Sequence, residues 1–378
     1  MQGPAPWNPL HILEDITRQV AHGLTADDCT RMNWDYWYAS ARVHAAPLAR
    51  HVYCQKCNAY HARRELEVDF EWKSTPCTMW SSSQNDRLRE QSPVNMVWLC
   101  SSHKNMVEKT AAVASECVVK QPAWFVQKDY PNRPMFRVER GPQDIGFSHC
   151  SRTRALSFMP DTDHKCTLHH DPARLFDEVA KFLQVRDMMK ICNITNAAVL
   201  EFLTEADYIH RKRFNNEPLP QWAVQESVVH GLDAMDFSFM LLEREVNSLE
   251  DYCYKYYIVS DGHDPLLDPN LCVFLVDNAS THASWSYNTH AIPTCRTNTG
   301  FMWLPSKKRW LTSRQILSCN GIPQSLKQLA CLKLPPEWAQ HLEFGNHSTR
   351  RHFAGNCVHA AVAGVFIGCC LASIELNQ

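Results

Sequence analysis

The chain has 378 residues, 45% of them hydrophobic and 10% aromatic. That is enough apolar material for one large or two ordinary domains with a buried core, and it excludes a disordered chain. The formal net charge of −2 at pH 7 excludes a globally basic nucleic-acid binder, so any contact with a polyanion must come from local patches.

The opening Met1-Gln-Gly-Pro-Ala-Pro-Trp7 has neither the charged stretch nor the apolar core of a secretory signal. The 17 cysteines are scattered and form no compact framework. They read as reduced thiols of an intracellular protein. The longest apolar run, Cys357 to Ala372, is interrupted by His359 and falls short of the roughly 20 residues of a bilayer span. A buried helix is expected there, with no membrane association.

In chain order, Pro9 to Val20 places Leu10, Ile12, Leu13, Ile16 and Val20 near one face of a helix. The aromatic group Trp34, Tyr36, Trp37 and Tyr38 is expected to pack in a core, with base stacking as the alternative. Cys54-Gln-Lys-Cys57 and Cys100-Ser-Ser-His103 hold the ligand types of a four-coordinate zinc site. Their separation is long for a single finger and no glycine lies near either pair, so free thiols near a strand end are the plainer reading. Leu66 to Trp72 alternates and reads as a strand. Pro76, without an N–H for a sheet ladder, ends it. Cys77 then sits on a turn at the carboxyl end of a strand, where open α/β sheets bind ligands. No glycine occurs between Gly23 and Gly141. The amino-terminal third therefore lacks the Gly-rich turn on which a nucleotide-like cofactor approaches the backbone.

Ser92 to Leu99 reads as loop and then helix start, and Pro122 to Pro131 as a short apolar strand. Arg152 and Arg154 precede an apolar strand at i and i+2, so both are expected to point from one face. Residues 172 to 213 read as helices, closed by Arg211-Lys-Arg213. That basic end suits a helix carboxyl terminus, with a phosphate contact as the alternative. A Pro-containing loop is expected over 216 to 234, a long helix over Phe237 to Val259, and a buried strand over Leu271 to Val276. Thr312 with Gln315 forms a capping box at a helix start, and Gly321-Ile-Pro323 stops that helix. Gly355-Asn356 leads into the final apolar helix.

Taken together, these segments resemble the DNA (cytosine-5) methyltransferase family, over roughly residues 65 to 375. Thr75-Pro76-Cys77 with the Ser-rich turn after it resembles the family's Pro-Cys nucleophile motif. Gly146-Phe-Ser-His-Cys-Ser-Arg-Thr-Arg154 resembles its Gly-x-Pro-Gln-x-Arg-x-Arg motif, and Pro293-Thr-Cys-Arg296 its target-recognition threonine segment. Arg309-Trp-Leu-Thr-Ser-Arg-Gln with Gly321-Ile-Pro323, and then Gly355-Asn356, resemble the two closing motifs. The order and spacing of the motifs carry the resemblance. The chain departs from the family in three places. It has no Phe- and Gly-rich cofactor loop before Cys77, Gln315 replaces the usual glutamate of the late motif, and Trp124 to Pro131, where the Glu-Asn-Val motif is expected, holds Lys128 and Gln127 but no glutamate.

The resemblance implies transfer of a methyl group from S-adenosylmethionine to C5 of cytosine in DNA, in the nucleus. Cys77 would add to C6 of an extruded base and make C5 nucleophilic, provided that positive charge lowers its pKa. Arg154 would contact the base carbonyl with Arg152 beside it, and Lys128 would stand in for the missing acid. Pro76, Gly355 and Asn356 would line the cofactor pocket. The implied fold is α/β, with a methyltransferase-like (Rossmann-like) mixed sheet. Residues 1–190 would form the catalytic domain with 311–378 packing back onto it, and 191–310 a smaller target-recognition region. The departures leave open an impaired enzyme or a catalytically dead scaffold that binds DNA or protein. The cysteine pairs leave open a zinc-binding interaction module using Cys54, Cys57, Cys100 and His103.

Overall fold

The computed structural model describes residues 20, 36–54, 58–62, 68–74, 80, 92, 95–147, 150–183, 197–277, 279–281, 283–287, 289, 291–295, 300–324, 326–331 and 346–377. The helices are α1 (Tyr36–Ala45), α2 (Met96–Val107), α3 (Ala123–Gln127), α4 (Pro172–Leu183), α5 (Val199–Arg213), α6 (Gln221–His230), α7 (Glu243–Val259), α8 (Ser313–Cys319), α9 (Leu326–Cys331), α10 (His347–Asn356) and α11 (Ala360–Ala372). The strands are β1 (His51–Cys54), β2 (Ala59–Ala62), β3 (Phe70–Ser74), β4 (Ala112–Cys117), β5 (Phe136–Arg140), β6 (Arg154–Pro160), β7 (Cys166–Leu168), β8 (Val273–Phe274), β9 (Met302–Leu304), β10 (Arg309–Trp310) and β11 (Ile374–Leu376). The fold is mixed α/β, with a mixed parallel and antiparallel sheet, as expected. Two compact units divide the chain. One comprises 1–140, 154–176 and 366–378, the other 141–153 and 177–365.

The first unit is organised around a four-stranded sheet in the order β3-β4-β6-β5. β3 and β4 are parallel, and α2 makes the crossover between them. β6 runs antiparallel to both β4 and β5. β4 is buried along its whole length. Its alternation of Ala112, Val113, Ala114 and Ser115 suits a central strand covered on both faces. Leu99, Val113, Phe125 and Met159 pack with Trp98 and Trp80 in the core of this unit.

Lys73 lies inside this unit, 5% exposed. Its Nζ donates to Tyr130 Oη at 2.6 Å and sits 5.0 Å from the centre of the Trp98 ring. Burial pushes its pKa down to about 7 against the pull of Glu71 and Asp129. The unfolded chain then holds more protons than the folded one between that value and the ordinary lysine range, so stability rises with pH across the window. Thermal unfolding at pH 7 and pH 9 is expected to show a gain of up to roughly 2–3 kcal/mol, and Lys73→Met is expected to abolish the gain.

Several expectations are corrected here. Residues 123–127 form a short helix and not a strand. Pro122 stands just before it, where its fixed φ and missing N–H cost nothing. Residues 221–230, expected as loop, form α6, opened by Pro220 in the same way. Arg154 begins β6, but Arg152 lies before the strand, so the two arginines do not share a strand face. Trp37 and Tyr38 are 62% and 55% exposed and do not join a core. The long helix expected from Phe237 begins at Glu243, after a 3-10 turn over Ser238–Met240.

In the second unit β8, β9 and β10 form a small antiparallel sheet. Phe301 stacks on Trp310 at 4.6 Å between ring centres, Phe202 approaches the same indole at 4.7 Å, and Arg213 lies 4.2 Å above Phe301. Arg213 also grips the buried Glu245 with both nitrogens, at 2.6 and 2.9 Å. The expected capping box is present: Gln315 N donates to Thr312 Oγ1 at 3.2 Å and Thr312 N to Gln315 Oε1 at 2.8 Å. Gly321 follows the helix at φ +73°, and a Cβ there would lie 3.1 Å from the His359 ring. The final apolar helix, α11, begins at Ala360 and buries Val362, Phe366, Cys369 and Cys370. No single helix among the described residues is long and apolar enough to cross a membrane.

Candidate active site

The carboxyl ends of β3 and β4 meet the start of β6, and three side chains gather there. Ser74 closes β3, Glu116 is the last residue but one of β4, and Arg154 opens β6. Ser74 is opposite Glu116 in the parallel register, and Cys117 is opposite Ala155 in the antiparallel one. Ser74 Oγ donates to Glu116 Oε2 at 2.5 Å, and Arg154 Nε lies 2.8 Å from Oε1. The carboxyl is thus held through both oxygens, and Glu116 is only 5% exposed. Both parallel strands point their carboxyl ends at this place, the usual ligand side of such a sheet.

The strand that carries Glu116 was not expected from the sequence. The readable signal is Ser115-Glu116-Cys117-Val118, a Glu-x-Val that ends an apolar stretch immediately before the segment where Glu-Asn-Val was sought. Glutamate is absent from 124–131, but the sheet position beside the end of β3 does hold a carboxylate.

The expected site residues fall in both units. Cys77 and Pro76 lie outside the described residues. Lys128 follows α3, with its Nζ 3.7 Å from the Phe125 ring centre and 5.1 Å from that of Trp37; it does not stand at a strand end. Arg152 is buried in the second unit, where its guanidinium donates to the carbonyls of Cys295 at 3.2 Å and Gly355 at 2.9 Å. Gly355 and Asn356 close α10, and the Asn356 amide is 3.0 Å from the His352 ring. Of the zinc candidates, Cys57 and the side chain of Cys54 lie outside the description. Cys100 is buried in α2, and His103 Nε2 is 2.8 Å from the Ala46 carbonyl. Among the described residues no group of three or more metal-binding side chains is placed to hold an ion.

No family model and no curated protein matches the sequence. Solved structures do. The chain is similar to the Dnmt2 methyltransferase of S. pombe, with 13% identity, 95% of this chain and 82% of that one covered, and a TM-score of 0.42. It is also similar to the Entamoeba histolytica methyltransferase EhMeth, with 14% identity, coverage of 80% and 75%, and a TM-score of 0.36. A mutant of Spodoptera frugiperda DNMT2 gives 11% identity, coverage of 81% and 80%, and a TM-score of 0.34.

The late motif residues serve a buried polar network in the second unit. Glu205 of α5 accepts from Trp310 Nε1 at 3.0 Å, Ser313 N at 2.8 Å and Ser313 Oγ at 2.7 Å. His347 Nδ1 lies 2.9 Å from the same carboxylate. Burial alone would raise the Glu205 pKa, but His347, Arg351 and Ser313 overcome it and hold the group at about 2. Burial keeps His347 below its ordinary value despite Glu205. Arg309, also buried, pairs with Asp233 at 3.1 Å. The threonine segment is likewise engaged in packing: Thr294 Oγ1 donates to the Ser151 carbonyl. Beside it, the neighbouring Cys150 thiol, with Arg152 and Asn320, holds the Cys295 thiol below its ordinary value against burial.

Proposed function

We propose that the chain performs the base-activating chemistry of a cytosine-5 DNA methyltransferase, with Cys77 as nucleophile, Glu116 as acid and Arg154 as the contact to the base carbonyl. The observation that carries this reading is the Ser74–Glu116–Arg154 cluster at the carboxyl end of β3 and β4. Cys77 follows Ser74 by three residues, and three residues of chain span at most about 10 Å. The thiolate would form a bond to C6 of the base. The C5=C6 electron pair would then move to C4–C5, the C4=N3 pair would move to N3, and N3 would take the proton of Glu116. C5 becomes enamine-like and can attack an electrophile. Glu116 replaces Lys128 in this role, because a carboxyl can give up a proton beside the guanidinium that orients the ring.

S-adenosylmethionine is the methyl donor that the resemblance implies. The described residues do not show a cradle for it. No glycine lies between 24 and 140, and the Gly355 carbonyl already accepts from Arg152. The steps above therefore rest on the chain's own groups alone. This mismatch supports a second reading, a catalytically dead scaffold that keeps the sheet and binds DNA. One experiment separates the two. DNA containing 5-fluorocytosine, with S-adenosylmethionine, is expected to form a covalent adduct that Cys77→Ser does not form. DNA binding without any adduct would leave the scaffold.

A further inference from the structure

We infer that Ser74 is a positioning residue that selects which oxygen of Glu116 carries the proton and reloads it from solvent. This rests on the base-activating role given to Glu116 above. The two partners of the carboxyl differ in what they can do. Arg154 offers only donors, so the oxygen it faces, Oε1 at 2.8 Å, has no acceptor for a proton of its own. Ser74 offers a hydroxyl to Oε2 at 2.5 Å. A hydroxyl both donates and accepts, so it can stay bonded to this oxygen whether the carboxyl is charged or neutral. The neutral acid therefore carries its hydrogen on Oε2.

Ser74 is also the exposed end of β3, whereas Glu116 is buried. The hydroxyl thus bridges the buried acid and water. When N3 of a bound base takes the proton, the Oε2–H bond breaks as the N3–H bond forms. Ser74 then passes its hydroxyl proton to Oε2 and takes one from a water molecule, leaving the serine unchanged and a hydroxide in the solvent, which takes the N3 proton when the thiolate leaves. The sheet register enforces the pairing. Ser74 and Glu116 are directly opposite on parallel strands, about 4.8 Å apart with side chains on one face, so a short hydroxyl reaches the carboxyl without a bridging water.

The test is exchange of the C5 hydrogen of cytosine with solvent, read as tritium released from a DNA duplex tritiated at that carbon. It requires addition at C6, protonation at N3, a solvent proton taken up at C5 in place of the methyl, loss of the tritium and departure of the thiolate, and no methyl donor. The unaltered protein is expected to release tritium. Ser74→Ala is expected to release it about tenfold more slowly. Ser74→Thr, which keeps the hydroxyl, is expected to restore the rate, a result that a purely structural role would not produce. Ser74→Gly serves as the second hydroxyl-free variant if alanine disturbs folding. Release by the hydroxyl-free variant at the original rate would overturn this inference and leave the functional reading intact. No release by the unaltered protein would overturn both.

Discussion

Glu116→Gln is expected to slow C5-hydrogen exchange by roughly 10²–10⁴ while leaving DNA binding unchanged, the span that a positioned general acid contributes. The amide keeps the shape of the carboxyl and its place at the end of β4. It can still accept from Ser74 or Arg154 through its oxygen, so the sheet has little reason to distort. What it cannot do is give a proton to N3, and without that proton the electrons leaving the C5=C6 bond have no sink. Glu116→Ala is the harsher change. It removes the carboxylate that the Arg154 nitrogen faces at 2.8 Å, and breaking one side of such an ion pair destabilises more than the pair contributes. Tritium release and thermal unfolding, measured on both variants, separate chemistry from folding. A glutamine variant that exchanges at the unaltered rate would remove Glu116 from the mechanism.

Glu205→Ala is expected to destabilise the second unit by about 3–5 kcal/mol, the range for removing one partner of a buried ionic network. The change leaves the Trp310 indole N–H, the Ser313 amide and hydroxyl, and the His347 ring without the acceptor they share. The same network sets the acid sensitivity. Glu205 has a folded pKa of about 2, depressed from its unfolded value. Its stabilisation is present above the unfolded carboxylate range and is lost as pH falls toward that folded value. His347 is also depressed, so the unfolded chain takes up its proton first and stability begins to fall below the ordinary histidine range. Both groups act in the same direction. Urea unfolding at pH 7, 5 and 3.5 is expected to show progressive loss in the unaltered protein and a much flatter profile in Glu205→Ala.

The sequence was most legible where local chemistry decides the backbone. The capping box of Thr312 and Gln315, the stop at Gly321 and the strand entering Ser74 all follow from nearest neighbours. It was least legible where partners are distant. β4 is a run of small residues whose strand character comes from being sandwiched between β3 and β6, and periodicity alone does not show that. With β4 hidden from periodicity, Glu116 is not legible as a sheet-end carboxylate. Arg152 illustrates the same limit. Two residues from Arg154 in sequence, its guanidinium is used up by the carbonyls of residues 295 and 355, a fact written only in the tertiary fold. The apolar stretch that forms α3 has strand-like composition, and Pro122 overrides it.

The last strand, β11, pairs with β7, placing residues 374–376 beside 166–168. The unit that begins at the amino terminus therefore includes a two-stranded ribbon whose second strand is translated after the whole of the other unit. On the ribosome the four-stranded sheet can close once β6 has emerged, but β7 stays unpaired while some two hundred intervening residues are made. Chaperone demand then falls on that one unpaired strand, whose partner comes last.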